Sequence, residues 1–105
     1  MPTALDFMTI WKEGLDNQDS SKLSDIITED WTFSHLMRGP LRDKPATLDW
    51  TARGTQVLSD IEILYENDEV AVGTHGNTNG IVMFLLRKRG NKFSSIRHIR
   101  ERTEN

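Results

Sequence analysis

Between Ala4 and Phe33 the chain changes its periodicity more than once, and that succession limits the folds open to it. Ala4, Met8, Trp11 and Leu15 recur at helical spacing. Asp16-Asn17-Gln18-Asp19 interrupts them, Leu23, Ile26 and Ile27 restart the pattern, and Glu29-Asp30 leads into the strand-like Trp31-Thr32-Phe33. Thr3 with Asp6 reads as a capping box for the first helix, which should run to about Leu15. Asp19 or Ser20 suits the N-cap of a second helix ending near Thr28. Two helices feeding a strand must bury their apolar faces against later elements.

The rest of the chain supplies them. Trp31, Phe33, His35 and Met37 alternate with Thr32, Ser34 and Leu36, so a strand should end at Gly39-Pro40. Asp43-Lys44-Pro45 predicts the start of a third helix and Gly54 its stop. Val57, Ser59, Ile61, Ile63 and Tyr65 then share one face of a strand, with Leu58, Asp60, Glu62 and Leu64 on the other. Turns at Glu66-Asn67-Asp68-Glu69, Asn77-Thr78-Asn79-Gly80 and Gly90-Asn91 divide the remainder into three more strands. Residues 81–86 are apolar on both faces, as in a central strand covered on both sides. Phe93, Ile96 and Ile99 recur every three residues and would also suit a helix, but the tight turn before them favours a strand with a bulge.

One domain over residues 1–105 is expected, since this length can carry a single core. The hydrophobic share, 36%, is lean. Sharing apolar surface with a second copy, as a homodimer through the sheet, would compensate. The absence of cysteine removes disulfides, thiolate chemistry and cysteine-based metal sites. No apolar run approaches the roughly 20 residues of a membrane span, which predicts a cytoplasmic protein with no membrane association. Residues 1–69 carry 14 acids and six bases, whereas residues 70–105 carry two acids and seven bases. The cationic strands, with Arg87, Lys88, Arg89, Lys92, Arg97, Arg100 and Arg102, read first as a solvated face and rim. Nucleic-acid binding is the less favoured alternative.

The order of parts resembles the nuclear-transport-factor-2-like superfamily, which includes the SnoaL-like domains. Trp11, the Asp16-x-x-Asp19 break, Leu23-x-x-Ile26-Ile27, Asp30-Trp31-x-Phe33, Gly39, Asp68-x-Val70-Ala71-Val72 and the closing run from Gly90 through Lys92-Phe93, Ile96-Arg97-His98 and Arg100-Glu101 carry the likeness. The resemblance implies an α+β cone, with three N-terminal helices packed in the concave face of a curved, mostly antiparallel sheet of five to six strands. It also implies an apolar cavity, which ketosteroid isomerase, scytalone dehydratase, limonene epoxide hydrolase and the polyketide cyclases use for acid/base chemistry on hydrophobic substrates. Where the isomerases place a tyrosine on the first helix this chain has Trp11, and where the cyclases place an aspartate near the end of the last strand it has Glu101.

The candidate catalytic residues are His35, His98 and Glu101. The resemblance sets the last strand beside the first, so the two histidines should be neighbours, and a neutral imidazole in apolar surroundings is a usable base near neutral pH. Trp11, Trp31, Phe33 and Trp50 would wall a small hydrophobic ligand, and Arg100 would orient it or clamp a carboxylate. Trp11 also stands at core spacing. His75, before Gly76 at a strand end, reads as a rim residue. No metal site is expected, because the histidines lack ligand spacing, and no cofactor. The function expected is a small-molecule-binding domain, with isomerase, cyclase or dehydratase chemistry open to it. The alternative is a non-catalytic interaction or dimerisation module, with RNA binding behind it.

Overall fold

The computed structural model describes residues 2–35, 41–77 and 80–103, with His35 and residues 100–103 described through their backbones alone. The strand expected to continue through Met37 to Gly39-Pro40, and Thr78-Asn79 of the second turn, lie outside these residues.

The first helix, α1 (Ala4–Asn17), has the capping box expected of its sequence. The Asp6 amide donates to Thr3 Oγ1 at 3.1 Å and the Thr3 amide to Asp6 Oδ2 at 2.8 Å. The helix buries Ala4, Phe7, Met8, Trp11, Gly14 and Leu15, a stripe at i, i+3, i+4 and i+7 spacing, and Gln18 ends it in the left-handed region. The second, α2 (Ser21–Ile26), is shorter than the sequence suggests. Ile27 already belongs to β1 (Ile27–His35), where it pairs with Phe93, so this β-branched residue serves the sheet and not the helix. Ser20 occupies the N-cap position without a side-chain bond, while Asp19 Oδ1 accepts from the Ser21 amide.

Helix α3 (Lys44–Arg53) starts and stops as its sequence dictates. Asp43 accepts from the Ala46 amide, Pro45 sits in the first turn, and Gly54 closes the helix at φ +62°.

Strands β2 (Ser59–Glu66), β3 (Val70–Asn77), β4 (Gly80–Arg89) and β5 (Lys92–Thr103) join β1 in one five-stranded sheet of order β1-β5-β4-β3-β2. The β1–β5 pair is parallel and the other pairs are antiparallel. The sheet is curved and unclosed, and the helices pack on its inner face. The core between these layers includes Phe7, Trp11, Trp31, Phe33, Phe84 and Phe93.

Irregular registers decide several faces. The shift between Arg87 and Lys88 on β4 leaves Ser94 unmatched on β5, so Phe93 and Ile96, three apart, both turn inward. A second shift, between Met83 and Phe84, does the same at Ile99. The helix-like spacing is thus that of a bulged strand. On β2 the alternation read from sequence fails at both ends: Leu58 is buried and Val57 exposed, and after a shift between Ile63 and Tyr65 the Tyr65 ring is 57% exposed. β4 is the middle strand, with Val82, Phe84 and Leu86 buried, but none of the helices covers its outer face, where Ile81 is exposed and Met83 and Leu85 are half-buried.

Among the described residues no helix is long and apolar enough to cross a membrane.

Candidate functional site

The two ends of the sheet differ in chemistry. At one end Glu66 Oε2 accepts from the Lys88 ammonium at 2.6 Å and from the Ala4 amide at 2.7 Å, tying β2, β4 and the start of α1 together. Arg89 donates to both carboxylate oxygens of Asp30 nearby, at 2.8 Å each. Lys88 and Arg89 are therefore engaged within the chain, and Lys88, its side chain only 7% exposed, is not the solvated rim residue its sequence suggests.

The other end gathers the histidines. On β3, Ala71, Gly73 and His75 face inward; on β4, Val82 and Phe84; on β5, Ile96 and His98. His75 and His98 are 5% and 4% exposed, and their rings meet edge to face at a centroid distance of 5.6 Å. His75 is thus an interior residue, contrary to its sequence reading as a rim position. Its Nδ1 lies 2.9 Å from the Gly76 carbonyl oxygen, and the Nε2 atoms of both rings are shielded from solvent. His98 also packs edge-on against Phe33 at 4.8 Å, and His75 lies 5.8 Å from Phe84.

The aromatic candidates divide. Phe33 touches His98, Trp11 and Trp50, so it joins the histidines to the core. Trp50 is half-buried and packs edge-on to Trp11 and Phe33, both at 5.9 Å. Trp11 and Trp31 are fully enclosed, and their indole N–H groups donate to Thr51 and Thr47 at 3.0 Å each. Trp31 stacks on Phe7, whose other ring neighbours include Phe93.

For the remaining candidates the backbone alone is described. His35 pairs in register with His98 across the parallel β1–β5 ladder, as the expected strand neighbourhood requires. Glu101 pairs with Val82 and Arg100 with Met83, beyond the second bulge of β5. Arg97, before that bulge, is exposed on the outer face.

Sequence reading missed Arg42. An isolated bridge pairs it with Phe33, each amide donating to the other's carbonyl at 2.8 Å, and its guanidinium lies 5.6 Å from the Phe33 centroid and 5.3 Å from that of Trp50. Only the proximity of a basic residue to the third helix signalled it. Among the described residues no group of three His, Cys, Asp or Glu side chains converges as a metal site.

No family model matches the sequence, and no curated protein matches it. Solved structures do match the fold. An NTF2-like protein from Anabaena variabilis superposes with a TM-score of 0.71 at 20% identity, over 90% of this chain and 83% of that one. A putative polyketide cyclase from Sinorhizobium meliloti gives 0.66 at 12% identity, over 92% and 94%. A Catenulispora acidiphila protein of ketosteroid isomerase-like fold, in complex with trimethylamine, gives 0.61 at 17% identity, over 91% and 85%. What the chain shares with all three is architecture: it has the α+β cone fold of the nuclear-transport-factor-2-like, SnoaL-like superfamily.

Proposed function

We propose that the histidine end of the sheet binds a small hydrophobic molecule and performs acid/base chemistry on it. The observation that carries this reading is the contact between His75 and His98, two imidazoles inside an otherwise apolar and aromatic wall. A histidine pair is a costly way to fill a core, because each ring brings two polar nitrogens that an apolar residue would not. An imidazole can act as a base and, once protonated, as an acid near neutral pH, so the two rings can divide these roles. His98 is the proposed base, since it contacts Phe33 and lies between β4 and the His35 position of β1. His75 is its partner, and His35 and Glu101 are candidates for orienting the substrate. The half-buried Trp50 would receive the apolar body, with Phe33 behind it. The neighbours described as a polyketide cyclase and as ketosteroid isomerase-like lend support, because enolisable carbonyl compounds suit a histidine base.

Exchange in D2O tests it. Small hydrophobic ketones and esters incubated with the protein should take up deuterium at the carbon beside the carbonyl, and His98→Gln should abolish the exchange while leaving the melting temperature within a few degrees. Binding of such compounds without exchange in the wild type would reduce the reading to a binding domain.

A second reading, a non-catalytic dimerisation module, draws on the outer face. Tyr65, Val72, Leu85 and Arg97 stand side by side across four strands, with Glu62 and Thr74 in a neighbouring row. The occupant proposed is a second copy, because a face carrying both the exposed Glu62 and the exposed Arg97 around an apolar centre is complementary to itself under two-fold rotation.

A further inference from the structure

We propose that Arg42 is an anion anchor and that the molecule received at the histidine end is a hydrophobic carboxylate, an inference that rests on the binding site proposed above. The backbone of Arg42 is fixed to β1 by its two hydrogen bonds with Phe33. Its guanidinium lies in the angle between the Phe33 and Trp50 rings, which stand at 85° to each other, at 5.6 Å and 5.3 Å from their centroids. Cation–π contact satisfies the face of a guanidinium and leaves its in-plane N–H fork for another partner. Several other cations pair with the chain's own acids, as Arg53 with Asp49, Arg89 with Asp30, Lys88 with Glu66 and Lys44 with Glu29. Among the described residues no carboxylate stands within ion-pair distance of Arg42, although it is half-buried.

The placement matters because Phe33 has two neighbours of different kind. Arg42 stands at 5.6 Å from its centroid and the His98 ring at 4.8 Å. A planar apolar molecule lying against the half-buried Trp50 could therefore present an anionic group to the Arg42 fork on the side of Phe33 that leads to the imidazole. Carboxylate is the group that best matches a single planar fork beside aromatic surface, since it accepts two parallel N–H bonds.

The test compares 2-naphthoate with 2-naphthamide, which share shape and differ in charge, by calorimetry on the wild type, Arg42→Gln, Arg42→Lys and Arg97→Gln. The expected result is a dissociation constant at least tenfold lower for the naphthoate. That preference should vanish in Arg42→Gln, weaken in Arg42→Lys, which keeps charge but loses the fork, and persist in Arg97→Gln. Circular dichroism melts of each variant would show that the fold is retained. Equal binding of the two probes by the wild type, or a preference that survives Arg42→Gln, would overturn the anchor while leaving the hydrophobic site in place. Failure of both probes to bind would overturn the site and the anchor together.

Discussion

Thr51 gives the buried Trp11 indole its acceptor. Its hydroxyl accepts from the Trp11 indole and donates to the Thr47 carbonyl at 2.9 Å, while Thr47, one turn earlier, accepts from Trp31. This ladder explains how α3, with little apolar surface, packs against a core of large rings, and why the Trp11 and Trp31 indoles lie enclosed. Thr51→Val keeps the volume and strands the Trp11 N–H, so it should cost about 1–3 kcal/mol in denaturant unfolding. A loss below a few tenths would mean that the indole finds another acceptor. Gly73 makes a different demand. A Cβ there would come within 2.5 Å of the Glu62 carbonyl oxygen and 2.7 Å of the Phe84 ring, so Gly73→Ala should destabilise by about 1–3 kcal/mol, which a thermal melt would show. The same residue helps to hide His75 from a sequence reading. The inward positions of β3 are Ala71, Gly73 and His75, whereas the outward ones include Val70 and Val72, so hydrophobicity alone selects the wrong face.

Elements with strong local chemistry were legible. The Thr3–Asp6 box, Asp43 with Pro45, and Gly54 each fix a helix end through a bond or a dihedral that depends on few residues. Strand faces were less so, because a bulge reverses parity and leaves no residue-type signature, as at Ser94 and Ile99 on β5 and around Ile63 on β2. The bulge on β2 sets Glu66 where it can join β4 and α1. Burial pushes the Glu66 carboxyl up, but the Lys88 ammonium and the Ala4 amide outweigh it and hold the group below its ordinary value of 4.5. A carboxyl depressed on folding contributes stability that is fully present above 4.5 and is lost as pH falls through the lowered folded value. The wild type should therefore lose stability on acidification below that point. Glu66→Gln should be less stable at pH 7 by about 2–4 kcal/mol, because Lys88 stays enclosed without its partner, and should show a shallower acid dependence. Urea unfolding at pH 7 and pH 3.5 measures both, and parallel pH profiles for the two proteins would contradict the assignment.

At the scale of the whole molecule the sheet is polarised twice, end from end and face from face. Its inner face holds the aromatic core with His75 and His98, and its outer face exposes Tyr65 and Ile81. If a second copy covers that outer face, light scattering at micromolar concentration should give twice the 12.1 kDa chain mass, and Leu85→Arg should give the single-chain mass with unchanged circular dichroism. A wild-type monomer would remove the dimer and leave the site untouched. Ion pairs tie one end of the cone, and the other, around His75, His98, Trp50 and Arg42, is the proposed ligand end. Its most direct measurement is an NMR titration of uniformly 15N-labelled protein, followed at the histidine rings, the tryptophan indoles and the backbone amides, with 2-naphthoate as the probe. The account predicts saturable shifts at His75, His98 and Trp50 with the Val72 and Leu85 amides unmoved; shifts confined to the outer face, or none at either histidine, would contradict it.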